Sequence, residues 1–170
     1  MTIRDVRLFG DPVLTTPAEV VTTFDESLAK LVDDMLETMD HYEGVGLAAN
    51  QIGVLRRVFV YDCSHETPNA RGHIINPVWE AIGTETQLGS EGCLSIPNVG
   101  KETERFARVR VTGVDVQGQP VSFEAEGLLA RCVQHESDHL DGVLFLKRLT
   151  PELRKEAMGE IRTASWFNSN

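Results

Sequence analysis

Two histidines stand four residues apart in QHESDHLDG, residues 134–142, with a glutamate directly after the first. On an α-helix, positions i and i+4 share a face, so His135 and His139 can aim two imidazole nitrogens at one ion. Glu136 lies about 100° further round the helix. From there a carboxylate can reach a metal-bound water without being a ligand. This H-E-x-x-H spacing is what a hydrolytic metal centre asks of a helix: two ligands and one proton carrier. The five residues favour a metal site but do not by themselves exclude a surface helix with two unrelated histidines.

A catalytic centre needs a third protein ligand and an open position for water. No further histidine follows Gly142, where the chain reads VLFLKRLT. Downstream candidates are Glu152 and Glu156. The upstream candidate is Cys93 in SEGCLSIP, beside Gly92 at what reads as the end of a strand. Cys63 and Cys132 read as buried structural thiols, with Cys132 packed beneath the site, since free cysteine is often core. Hydrolysis also needs donors for the oxyanion. GVGLAANQIG, residues 44–53, offers glycines that let backbone approach a ligand, and then the amide of Gln51. It is no phosphate loop, because no Lys-Ser/Thr follows. A glycine-rich turn without such a role fits as well.

These groups depend on the elements around them. FGDPVLTTPAEV is an irregular N-terminal segment broken by Pro12 and Pro17. TFDESLAKLVDDMLETMDHYEG predicts the first helix: Phe24, Leu28, Leu31, Val32, Met35, Leu36 and Met39 recur at helical spacing, and Gly44 is the expected stop. RRVFVYDC reads as a buried strand, and HIINPVWEAIG as another, at an edge or broken by Pro77. RFARVRVTGVDVQGQPVSFEAEG reads as a hairpin turned by QGQP, with an alternation that slips at Gly113 and suggests a bulge. LLARCVQHESDHLDG is a helix stopped by Gly142. TPELRKEAMGEIRTASWF is the last helix, capped by Thr150 with Pro151 at its first position, and the final NSN is expected to fray. The expected fold class is α+β in one domain, residues 1–170, with antiparallel strands around a central H-E-x-x-H helix and further helices at either end.

Asp plus Glu number 26 against 16 Lys plus Arg, a net charge of −10 that argues against a wide phosphate-binding surface and direct nucleic-acid readout. No apolar run is long enough to span a bilayer, and MTIRDVRLFGDPVL lacks the apolar centre of a signal peptide. A cytoplasmic location is expected. Three cysteines without framework spacing fit reduced thiols.

Three segments together resemble the peptide deformylase family. G-φ-G-φ-A-A-x-Q matches Gly44 to Gln51, E-G-C-L-S matches Glu91 to Ser95, and Q-H-E-x-D-H-L-x-G matches Gln134 to Gly142. Order, spacing and length fit along essentially the whole chain. The resemblance implies a metal-dependent hydrolase that removes the N-formyl group from the initiator methionine of newly made proteins and releases formate. It implies one divalent metal on Cys93, His135 and His139: Fe²⁺ in the cell, with Zn²⁺, Ni²⁺ or Co²⁺ able to take its place. It implies Glu136 as general base and then acid, and Gln51 with the Leu94 backbone N–H as oxyanion donors. Val45 and Gly46 match positions that line the peptide groove, and Leu128 and Cys132 are expected at the methionine pocket.

Arg131 departs from the apolar residue of many relatives and stands either at the pocket mouth or in solvent. Glu91 is expected to support a ligand or form an ion pair, and Asp138 to orient a histidine or lie exposed. The implied partners are N-formyl-methionyl peptides of nascent chains and, transiently, the ribosome; no membrane partner is expected. Arg154, Lys155 and Arg162 of the last helix lie among acids and read better as a solvated face. Two rivals stay open: a metallopeptidase with Glu152 or Glu156 as third ligand, and a non-catalytic binding module. The presence of both Glu136 and Gln51 argues against the second.

Overall fold

The computed structural model describes residues 2–168. Helix α1 spans Glu26–His41, and Asp25 caps it by accepting from the Leu28 N–H. Leu28, Leu31, Val32, Met35 and Met39 form its buried stripe, while Phe24 precedes the helix and is exposed. The C-terminus closes differently from the expected glycine stop. Glu43 takes the left-handed conformation at φ 56°, and Gly44 follows it. The Gly44 N–H donates to the Met39 carbonyl and the Glu43 N–H to that of Asp40, which together satisfy two orphan carbonyls.

Strands β1 (Gly46–Ala48), β2 (Val58–Asp62), β3 (Arg71–Ala81), β6 (Arg108–Val114) and β7 (Pro120–Glu126) form an antiparallel sheet in the order β1-β2-β3-β6-β7. Strands β4 (Thr86–Cys93) and β5 (Ile96–Phe106) pair separately as a two-stranded sheet. Helix α2 runs Gly127–Leu140, α3 Pro151–Thr163 and the short α4 Ser165–Asn168. The fold is α+β. Ser169 and Asn170, two of the three terminal residues expected to fray, lie outside the described residues. No helix among the described residues is long and apolar enough to cross a membrane.

Side chains alternate across a strand, and here the alternation sorts two cores. Val58, Val60 and Ile75 pack with the stripe of α1. Phe59, Ile74, Val109 and Val111 pack with Leu129, Ala130 and Val133 of α2. The sheet therefore lies between the two helices. Ile96 and Val99 of β5 join Phe145, Leu149, Ala157 and Ile161 in a third cluster that seats α3. Every residue of α2 from Leu129 to Leu140 is buried, the polar ones included, so their hydrogen-bonding groups need partners within the fold.

One strand expectation is resolved and two are corrected. Of the two readings of Pro77, an edge strand or a break, the structure gives the second: β3 is central and its register shifts at this point. Pro77 is tolerated because one extra β3 residue falls between the pairs Ile75–Val114 and Val78–Thr112, and a bulge needs no ladder donor there. Asn76 in this bulge has φ 53°, and its side chain bonds both backbone groups of Val21. The slip at Gly113 belongs to that bulge on the neighbouring strand, since β6 and β7 pair without a shift. A Cβ at Gly113 would lie 2.6 Å from the Ile75 carbonyl oxygen. Gly113→Ala is expected to cost about 1–3 kcal/mol, read as a lower urea midpoint at unchanged slope. Finally, Arg105 and Phe106 end β5 instead of opening the hairpin, and the last helix breaks at Ala164, whose backbone is extended.

Candidate active site

Helix α2 brings His135 and His139 to one face, and the end of β4 brings Cys93 against them. The Sγ of Cys93 lies 3.3 Å from His139 Nε2, which lies 3.2 Å from His135 Nε2. The three ligating atoms fall within 4.8 Å of one another. Two ligands about 2.1 Å from one tetrahedral ion would sit about 3.4 Å apart, so the spacing fits a shared cation. The donor set fits as well. Two imidazole nitrogens and a sulfur converge on one point, and all three are ligands for borderline-soft divalent metals. Glu152 and Glu156 are exposed on α3, and Glu156 pairs with Lys101, so neither joins this group.

Glu91 fixes which nitrogen of His135 faces the centre. Its Oε2 lies 2.6 Å from His135 Nδ1. A carboxylate only accepts, so Nδ1 carries the proton and Nε2 is left for a metal. Burial raises the Glu91 carboxyl, but hydrogen bonds from His135 and Arg105 outweigh it and hold the group well below the usual carboxylate range. Arg105 grips both oxygens of Glu91 and donates onward to Asp138, which also takes a fork from Arg148. Asp138 is thus neither an exposed acid nor an orienter of a ligand histidine. Arg131 is buried and donates to Glu91, so it stands neither at a pocket mouth nor in solvent. The reason is local: Gly89 leaves room, since a Cβ there would lie 3.1 Å from Arg131 Nη2.

Glu136 is buried, and its Oε1 has no hydrogen-bond partner among the described residues. Burial pushes this carboxyl up to about 7 in the metal-free protein, with the nearby His135 pulling the other way. Its position is set by Gly46, where a Cβ would come within 2.6 Å of Glu136 Oε2 and 2.7 Å of Cys132 Sγ. Gly46→Ala is therefore expected to displace the carboxylate. A misplacement on the ångström scale costs about 10²-fold in rate. Turnover measured beside bound metal should show the rate falling with the metal retained.

A cavity of about 780 Å³ opens over this centre. Val45 and Gly46 line it from the start of β1, Leu94, Pro97 and Val99 from the β4–β5 hairpin, and His135 and Glu136 from α2. Gln51 lies just beneath, in a 3-10 turn at Ala49–Ile52. Its Nε2 is 3.6 Å from Cys93 Sγ and donates to Ser95 Oγ, while its Oε1 accepts from the Ala48 N–H. The structure thus gathers Cys93, His135, His139, Glu136, Gln51, Leu94, Val45 and Gly46. Cys132 sits under the cavity, with its thiol donating to the Val45 carbonyl. Leu128 packs in the α2 core and does not line the cavity.

Sequence reasoning missed the wall at Pro97–Gly100. There β5 bows out between the pairs Gly92–Gly100 and Cys93–Ile96, with Asn98 at φ 64°. The dipeptide Pro97-Asn98 was the available signal, as a turn within a strand run.

The Polypeptide deformylase family matches residues 3–155 of this chain. Peptide deformylase 1 of Corynebacterium efficiens is 65% identical over 168 residues, which cover 99% of each chain. A crystal structure of a peptide deformylase from Legionella pneumophila aligns at TM-score 0.89 and 37% identity, covering 99% of both chains. One from Ehrlichia chaffeensis in complex with actinonin aligns at TM-score 0.87 and 38% identity, covering 95% of this chain and 97% of that one. With the cysteine, the two helical histidines and the adjacent glutamate converging on one groove, the chain belongs to the peptide deformylase family, hydrolases that remove the N-formyl group from the initiator methionine.

Proposed function

We propose that residues 1–170 act as one catalytic domain in which Cys93, His135 and His139 hold a single divalent metal. The observation that carries this reading is the mutual approach of three metal-binding atoms beside a buried, unpartnered carboxylate oxygen. A divalent ion held by these three residues would supply Lewis acidity, lowering the pKa of water bound to it. Glu136 takes the proton from the attacking water and returns it to the leaving amine nitrogen, which frees formate. The Gln51 amide and the Leu94 backbone N–H receive the developing oxyanion. Gly46 lies in β1, an edge strand of the main sheet, and Val45 adjoins it, so an extended peptide can pair with their backbone.

Fe²⁺ is the metal proposed for the cell. Zn²⁺, Ni²⁺ or Co²⁺ suit the same thiolate and imidazole donors. The thiolate ligand makes the centre sensitive to oxidation at Cys93. The substrate is the formylated start of a nascent chain, which places the enzyme in the cytoplasm and in transient contact with the ribosome.

The test is formate release from a formyl-Met tripeptide by protein purified without oxygen and loaded with Fe²⁺ or Ni²⁺. Steady release is expected. Protein shown to hold one metal per chain that releases no formate would overturn the reading.

A further inference from the structure

Arg131 is a buried cation with no part in the chemistry above. Such a group is costly unless its charge and N–H donors are matched. Its Nη1 donates to Glu91 Oε1 at 2.9 Å and to the Thr103 carbonyl at 2.8 Å. Glu91 thereby receives a full set of donors: Arg105 Nε and Arg131 Nη1 on one oxygen, Arg105 Nη2 and His135 Nδ1 on the other.

Two spacings give this arrangement a direction. Arg131 and His135 are four apart on α2 and share a face, so both reach the same carboxylate. Glu91 and Cys93 are two apart on β4 and also share a face. A clamp on Glu91 from Arg131 and His135 therefore sets how β4 lies against α2, and with it how Cys93 meets the two histidines. Arg105, on β5, reaches α2 only at Asp138, three residues beyond His135, whereas Arg131 joins Glu91 to the helix directly on the face of His135.

We propose that Arg131 is a positioning residue of the metal centre: by bracing Glu91 it holds the β4 cysteine and the α2 histidines at ligand spacing, and so governs how long the metal is retained. The inference rests on Cys93, His135 and His139 being the ligands. Wild-type protein that takes up no metal would fail that reading instead.

The experiment loads wild type, Arg131→Met and Arg131→Lys with Co²⁺ under nitrogen and challenges each with excess EDTA. Loss of the thiolate-to-metal absorption gives the release rate, and the visible bands report ligand geometry. Arg131→Met should release metal about 10- to 100-fold faster, with shifted bands, the scale on which groups supporting a ligand act. Arg131→Lys keeps the charge and two donors and should recover most of the loss. A purely structural arginine would lower the melting temperature of metal-free Arg131→Met while leaving release rate and bands as in wild type, and that result overturns the proposal. Should Arg131→Met not fold, Gly89→Val, which crowds the guanidinium, decides: faster release supports the brace, and wild-type release overturns it.

Discussion

Glu136→Ala should bind metal as wild type does and release almost no formate. Positioned acid–base groups contribute about 10²- to 10⁴-fold, and in the proposed mechanism Glu136 serves twice, as base and then as acid, so the upper part of that range is expected. The fold should not suffer. The side chain is buried with an unpartnered oxygen, an arrangement that costs stability, so its removal relieves a penalty. Rate constants taken beside metal content and melting temperature separate the outcomes. A variant that keeps its rate would remove Glu136 from the mechanism; one that loses metal would make it a structural group.

Cys93→Ala should bind metal far more weakly than wild type. A ligand contributes more than the groups that support it, whose loss already costs about 10- to 100-fold in affinity. His135 and His139 remain on α2 in the variant, but two imidazoles leave the coordination open on the side where β4 approaches. Cys93 is only partly buried, so the change makes little cavity and the apo-protein should stay folded. Metal per chain, measured after gel filtration, checks the expectation. A Cys93→Ala protein with wild-type metal content and activity would revive a third ligand from α3, against the exposed positions of Glu152 and Glu156.

The histidine pair was legible in the sequence because its geometry is local: four residues on a helix put both rings on one face wherever the helix lies. Cys93 is different. It meets His139 across 46 positions of sequence, and the spacing of apolar residues says nothing about such a meeting. The residues left Cys93 one candidate beside Glu152 and Glu156, and the three-motif resemblance singled it out. Arg131 and Asp138 show the same limit more sharply. Both lie on a helix whose polar residues are buried on all sides, and each pairs with a group on another element, so helical periodicity could not name their partners. Pro77 and Gly113 read as separate irregularities in sequence. In space they are the two sides of one bulge, which only strand register reveals.

Strand β1 is three residues long and has one unpaired edge, beside the cavity. A strand edge offers amide and carbonyl groups, which every polypeptide presents whatever its side chains. Under the peptide pairing proposed above, recognition through backbone groups would depend little on composition beyond the first residue. The brevity of the edge matters equally. Three residues can form few hydrogen bonds, so in that proposed pairing the backbone hold on a finished chain would be weak. The same shortness leaves little template on which a second molecule could add a strand.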